Sequence, residues 1–206
     1  MSFSTGYRGA VNGAVQTSYT DQPGKSLPGM LMGVGEAMAI DSYIVKETNG
    51  VGAGLGIRLV AGDEGQGFAW PGLTVKLPEG DENENDFGGV VVFDQAMQSD
   101  ASGNNGWELG RTCRILRPVR SGGRIYTRVV DAVDPLTDSV YWVIAADTGG
   151  TYALGSFVPA ALGGGAAGTT VLLTTARWVT AAAAGDIAGI EFLGNVSQNF
   201  NSTSSL

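Results

Sequence analysis

Short runs of apolar and β-branched residues alternate along most of the chain with clusters of glycine, proline, asparagine and aspartate. No stretch shows the apolar spacing that is typical of an amphipathic helix. Ten runs predict short strands: AIDSYIVK, GLGIRLV, LTVKLP, GGVVVF, RTCRILRPV, RIYTRVV, SVYWVIA, GSFVPA, TVLLTTARWV and DIAGIEFL. The pattern therefore predicts an all-β fold, a compact barrel-like or sandwich-like body of about ten short strands.

The N-terminal 35 residues lack this pattern. They contain many glycines and polar residues, together with Pro23 and Pro28, and show no sustained period of a strand or a helix. A segment without apolar periodicity has no core of its own, so it is either disordered or laid along another surface. We predict an extended N-terminal arm over residues 1–35, ordered only when bound, and a β-rich body over residues 36–206.

Four consecutive alanines at positions 181–184 are compatible with a helix or with a turn. Four residues span barely one helical turn, and an isolated helix needs roughly 12–15 residues to be even marginally stable. β-branched and aromatic residues precede the alanines, and Gly185 and Asp186 follow them. We therefore predict a turn between two strands.

The charges are segregated along the chain, whose net charge is −8. Eight acidic residues and no basic one lie between Pro78 and Gly110, and six of the twelve basic residues then lie between Arg111 and Arg128. The acidic balance argues against binding to nucleic acid. No stretch approaches the roughly 18 uninterrupted apolar residues of a membrane span. We therefore expect neither a nucleic-acid nor a membrane partner.

The arginine-rich segment is interpreted as a hairpin that turns at Ser121-Gly122-Gly123, with Arg120 opposite Arg124. Strand alternation then places a mostly apolar set on the core face: Cys113, Ile115, Arg117, Val119, Ile125, Thr127 and Val129. The opposite face carries the candidate contact residues Arg114, Arg120, Arg124, Tyr126 and Arg128.

This basic face is either a solvated sheet surface or a contact with an acidic protein surface. Arginine favours the contact, because its planar guanidinium suits carboxylates and interface burial. A candidate acidic surface is the loop of a neighbouring copy that carries Asp81, Glu82, Glu84 and Asp86.

Residues suited to catalysis are few. The chain has no histidine, and its single cysteine, Cys113, is predicted on the core face. The acidic loop departs from a helix–loop–helix calcium site, since its sixth position is Asp86 and its twelfth is Val92, although a loose surface calcium site stays open. A GxGxxG pattern at 163–168 leads into a strand, which lacks the geometry that cradles a phosphate. We predict a protein that is not an enzyme and has no cofactor.

The order of several motifs resembles that of the head decoration, or structural cement, proteins of tailed bacteriophages. The motifs are GLGIRLV at 54–60, LTVKLP at 73–78, FGGVVV at 87–92, LGRTCRIL at 109–116, GRIYTRV at 123–129, and ARWVT at 176–180 followed by AAGDIA. The resemblance covers residues 36–194 and brings no catalytic residues with it. It implies a virion structural protein, made in the host cytoplasm, that binds the outer surface of the assembled capsid and stabilises it by bridging major capsid subunits.

We accordingly expect two partners, the major capsid protein and further copies of this chain, in a trimer rather than a dimer. The alternative function is a carbohydrate-binding or carbohydrate-processing β-domain of a phage tail-associated protein. Such a domain would use Trp70, Trp107, Trp142 or Trp178 as stacking platforms. Trp107, in a glycine- and asparagine-rich loop, is the best candidate for an exposed ring, whereas Trp142 and Trp178 lie in strands and are expected in the core.

Overall fold

The computed structural model describes residues 27–32, 39–61, 73–94, 98–99, 105–119 and 121–194. These ranges contain fourteen strands: β1 (Ile40–Val45), β2 (Val51–Gly52), β3 (Gly56–Ala61), β4 (Leu73–Lys76), β5 (Phe87–Val91), β6 (Gln98–Ser99), β7 (Asn105–Trp107), β8 (Thr112–Leu116), β9 (Ser121–Arg128), β10 (Tyr141–Ala145), β11 (Phe157–Val158), β12 (Thr169–Leu172), β13 (Ala176–Trp178) and β14 (Ile187–Leu193). The helical elements in the same ranges are two single-turn 3-10 helices, Glu84–Asp86 and Gly165–Ala167. The predicted all-β fold is confirmed.

Every one of the ten predicted runs overlaps a strand. The run TVLLTTARWV contains two, β12 and β13, because a turn at Thr174 and Thr175 separates them. The short strands β2, β6 and β7 were not predicted, and they form a small sheet of their own in the order β2-β7-β6. Among the described residues, no helix is long and apolar enough to cross a membrane.

Five strands close into a barrel in the order β1-β4-β3-β5-β8. β1 is parallel to β4, and its other edge pairs antiparallel with β8, which closes the barrel. Alternation along each strand directs one set of side chains to the interior. This first core consists of Val45, Val51, Ile57, Val75, Val91, Cys113 and Ile115.

A second core joins the barrel strands β5 and β8 to two three-stranded sheets, β11-β10-β12 and β13-β14-β9. Phe87 of the barrel lies at its centre. Its ring centroid is 5.2 Å from that of Trp142, 6.0 Å from that of Phe157 and 5.8 Å from that of Phe192. Because these four rings come from four different strands, their packing fixes the barrel against both sheets.

The predicted hairpin between residues 111 and 128 is wrong. β8 pairs with β1 and β5, whereas β9 pairs with β14. Pro118, which has no N–H to donate to a ladder, lies in a turn just after β8, so the chain leaves the barrel there and enters a different sheet.

The predicted core face of the same segment is largely confirmed, because alternation within a strand does not depend on its partner. Cys113, Ile115, Arg117, Ile125, Thr127 and Val129 are all buried. Val119 is the exception, at 40% exposure, since it lies in the turn and not in a strand.

The alanine run forms a turn, as predicted. It connects β13 to β14, which pair antiparallel through Trp178 and Ile190. Ala182 exchanges backbone hydrogen bonds with Val133 at 2.8 and 3.1 Å. Gly185 ends the turn with a φ of 81°, a conformation that glycine adopts without strain.

Residues 27–32, within the predicted arm, form a turn and a single β-bridge on the free edge of β9. Gly29 donates to the Tyr126 carbonyl at 2.7 Å, and Met32 donates to the Arg124 carbonyl at 3.0 Å. Leu31 packs against the second core. These six residues therefore contact the body directly, and the expectation that the arm orders only when bound stays a prediction. The rest of the arm lies outside the described residues, and its extended character stays a prediction.

Candidate interaction surface

The sheet β13-β14-β9 places one carboxylate between two guanidinium groups. Arg177, Glu191 and Arg124 are paired in register across the three strands, so their side chains share one face. Arg124 Nε and Nη2 contact Glu191 Oε1 at 2.9 and 2.8 Å, and Arg177 Nε donates to Glu191 Oε2 at 2.6 Å. Each carboxylate oxygen is therefore held by its own arginine.

Glu191 is buried, whereas about half of each arginine side chain is exposed. Burial alone would raise the pKa of Glu191, but the hydrogen bonds and charges of Arg124 and Arg177 outweigh it and lower this pKa below its ordinary value. The buried carboxylate thus orients two arginines whose outer surfaces remain accessible.

The same face continues along β9 and β14. Tyr126 lies opposite Gly189, and Arg128 lies opposite Ile187. A side chain at position 189 would collide with Met32 Sδ and would lie 3.0 Å from Val179 Cγ2, so these two side chains cover Gly189. We call this surface the arginine face; it consists of Arg124, Tyr126, Arg128, Arg177, Val179, Ile187, Glu191 and Met32.

Three of the five predicted basic-face residues, Arg124, Tyr126 and Arg128, are brought together on the arginine face. Arg114 is exposed as predicted, but it lies on barrel strand β8, opposite Ser42 of β1. Arg120 lies outside the described residues. The basic face that the sequence predicted is therefore divided between two surfaces, because β8 belongs to the barrel and β9 to a different sheet.

Sequence reasoning missed Arg177 and Glu191. The available signal was a charged residue, Glu191, between the apolar Ile190 and Phe192 of a predicted strand. A carboxylate that is buried in a strand requires a cationic partner on a neighbouring strand.

The acidic loop uses most of its carboxylates to hold its own shape. The Glu82 carboxylate is buried and accepts the backbone N–H groups of Glu79 and Gly80 at 2.7 and 2.9 Å. Thr174 Oγ1 donates to both oxygens of Glu84 at 2.9 Å.

Asp86 completes this arrangement by accepting the Asn83 N–H at 2.9 Å, as part of a capping box on the first 3-10 helix. Asp81 is exposed. Of the four predicted acidic contact residues, three therefore have structural partners within the chain.

Other chemistry that the sequence suggested does not form a site. Cys113 is fully buried, and burial raises the pKa of its thiol to about 12. The GxGxxG segment leads through the second 3-10 helix into strand β12, as expected. Within the described part of the chain, no group of His, Cys, Asp or Glu side chains is arranged to hold a metal ion.

The three described tryptophans do not offer an exposed ring. Trp142 and Trp178 are buried, as predicted. The expectation for Trp107 is wrong, because this ring is half-buried and packs against the barrel core. Trp70 lies outside the described residues. No described tryptophan therefore favours the carbohydrate-binding alternative.

Substitution of Glu191 by glutamine is expected to destabilise the protein by about 1–3 kcal/mol at neutral pH, because hydrogen bonds to charged groups contribute more than neutral ones. Since the folded-state pKa is lowered, the wild-type contribution is present above the unfolded-state pKa and is lost as the pH falls through the folded-state value. The difference in unfolding free energy between wild type and variant should therefore shrink in acid. Urea unfolding at several pH values measures it.

The matched control is Glu79→Gln. The pKa of Glu79 is also lowered, by hydrogen bonds from Lys76 and Arg58, but this carboxylate is largely exposed. Exposed ion pairs contribute at most about 1 kcal/mol, so its substitution should have the smaller effect. Equal losses for the two variants would contradict the structural role of Glu191.

Comparison with known proteins agrees with the family resemblance that the sequence motifs indicated. The family described as Structural cement protein (E217 gp24/Pam3 gp6) matches residues 15–193. No curated protein matches the chain. Among solved structures, a chain from "The capsid of Myoviridae Phage XM1" is 14% identical with a TM-score of 0.52, over 88% of this chain and 96% of that chain, which shows a shared fold. Because the family match spans most of the sequence, the chain belongs to the phage structural cement protein family, and its role is that of a structural protein of the virion.

Proposed function

We propose that this protein binds the outer surface of the assembled phage capsid and stabilises it by bridging major capsid subunits. The observation that carries the proposal is the family match over residues 15–193. A cement protein that binds only the assembled shell stabilises that shell by mass action, because disassembly must first release it. On this proposal the protein is made in the host cytoplasm and acts without catalysis.

Contacts with the shell or between copies are proposed at the contact residues that the sequence predicted. The basic candidates are Arg114 on the barrel, the residues Arg124, Tyr126 and Arg128 of the arginine face, and Arg120. The acidic candidates are Asp81, Glu82, Glu84 and Asp86, among which Asp81 is exposed while the other three also hold the loop. Exposed ion pairs contribute at most about 1 kcal/mol each, so attachment requires several of them together.

Heads that lack this protein are expected to lose their genome at a lower temperature than complete heads. Adding the purified protein back should restore heat resistance. Reattachment should weaken with salt as the screening length falls below about 8 Å, because the contacts are charged. Genome release on heating and co-sedimentation of the protein with heads measure both effects.

Free major capsid protein, before assembly, serves as the control and should bind the protein more weakly than assembled heads do. Equal heat resistance with and without the protein would contradict the cement function. Equal binding to free and assembled capsid protein would contradict the bridging of subunits.

A further inference from the structure

Residues 131–138, which we call the tip, expose one leucine almost completely. Leu136 is 92% exposed, the most exposed of the large apolar side chains among the described residues. At the base of the tip, Val133 is buried in the second core. The tip therefore combines a core anchor with an apolar side chain that contacts little of its own chain.

The tip is held in a fixed shape. The Asp134 carboxylate accepts the Leu136 N–H at 2.9 Å, and the Asp138 carboxylate accepts the Asp134 N–H at 2.7 Å. The paired hydrogen bonds between Val133 and Ala182 attach the tip to the alanine turn. Because its backbone is already ordered, Leu136 would lose little conformational freedom on entering a partner surface.

The tip itself is acidic. The tip carries Asp131, Asp134 and Asp138, and the sequence has no lysine or arginine between Arg128 and Arg177. An apolar centre with an acidic rim fits a surface with an apolar centre and a basic rim.

The arginine face has that complementary arrangement. Its centre is apolar, with Met32 and Val179 over Gly189 and with Ile187 beside them. Its rim is basic, with three arginines against two neighbouring carboxylates: Arg124, Arg128 and Arg177 against Glu191 and Asp186. The face is therefore net positive.

The tip cannot reach the arginine face of its own chain. β9 leads directly from that face into the tip, and the connection is hydrogen-bonded to the segment before β14, since Val129 donates to the Asp186 carbonyl at 3.0 Å and its own carbonyl accepts from Gly185 at 2.9 Å. The bonds between Val133 and Ala182 then fix the tip beyond the end of the sheet. A second copy, however, offers the same face without this restraint.

We propose that the tip of one copy docks on the arginine face of a second copy. Leu136 lies against the apolar centre, and the carboxylates of the tip face Arg124 and Arg128 of the neighbour. Made twice about a twofold axis, this contact gives a dimer; made head to tail around a threefold axis, it gives the trimer that we expect.

Leu136→Asp is expected to weaken self-association of the full-length protein at least about tenfold, because it removes the apolar anchor and adds a charge to it. Sedimentation equilibrium measures the dissociation constant. At protein concentrations where both proteins are monomeric, the melting temperature should not change, since Leu136 makes few contacts within the chain. The matched control is Leu109→Asp, because Leu109 is also exposed, at 55%, but lies beside the barrel. Equal association by both variants and wild type would overturn the proposal, as would a wild-type protein that stays monomeric.

A charge exchange tests the pairing of the two surfaces. Thr137→Arg in the tip and Arg128→Glu on the arginine face should each weaken association. The double variant should recover part of it, because the arginine introduced in the tip of one copy then meets the glutamate introduced on the arginine face of the next. Losses that simply add in the double variant would contradict direct contact between the surfaces.

The result of these association measurements is independent of the proposed cement function. A monomeric protein that still protects heads from heat would contradict this inference alone. A protein that associates through the tip but leaves heads unprotected would contradict the cement function alone.

Discussion

Replacing Trp142 by alanine is expected to destabilise the protein by about 3–5 kcal/mol, a large part of the about 5–15 kcal/mol that folded domains usually have. Trp142 is fully buried and packs edge-on against Phe87, in the cluster of rings that joins the barrel to the sheets. Its removal leaves a cavity in the second core, where the barrel and the sheets meet. Chemical unfolding, followed by tryptophan fluorescence, measures the loss.

Trp142→Phe is the matched control. The indole Nε1 of Trp142 is buried and has no hydrogen-bond partner among the described residues, so phenylalanine removes no hydrogen bond and keeps an aromatic ring. The phenylalanine variant should therefore retain most of the stability that the alanine variant loses. If both substitutions cost the same, the cluster of rings is not what joins the barrel to the sheets.

Replacing Gly89 by alanine is expected to cost about 2–6 kcal/mol, because it adds backbone strain to a steric overlap. Gly89 lies in β5 with a φ of 137°, next to a register irregularity between β3 and β5. A Cβ there would overlap the carbonyl oxygen of Leu116 and would lie 2.8 Å from Ile115 Cγ2, and both residues belong to β8. The substitution therefore pushes apart β5 and β8, two paired strands of the barrel.

The control Gly110→Ala separates the cost of backbone strain from the cost of steric overlap. Gly110 also has a positive φ, of 78°, but no atom lies within 4 Å of the position of its Cβ. Its substitution should cost only the backbone strain, about 1–2 kcal/mol. Thermal unfolding of the two variants compares them directly, and a smaller loss for the Gly89 variant would contradict the steric explanation.

Much of the fold could be predicted because the alternation of apolar and polar residues is local. The core faces of β8 and β9 were correct at Cys113 and Ile125 although the two strands do not pair. Strand pairing is not local: β1 binds β8 about seventy residues further along the chain, and nothing in either strand alone identifies its partner. β2 and β6 have two residues each, too few to show any period.

The interaction surface could be predicted in part for the same reason. Arg124, Tyr126 and Arg128 alternate within one strand, so they share a face whatever the sheet. Arg177 and Glu191 join that face only through pairing across strands. The acidic loop could not be interpreted from composition, because the hydrogen-bond partner of the Glu84 carboxylate, Thr174, is distant in the sequence.

Barrel strand β8 contains the only cysteine of the chain. Cys113 lies inside the barrel, where burial both shields the thiol and keeps it protonated. A thiol reagent can therefore modify it only when β8 separates from its neighbours, so the modification rate reports how often the barrel opens. The sheets contribute no thiol to that signal. Labelling of the protein in solution and on heads would therefore show how far attachment suppresses barrel opening, with no substitution in the chain.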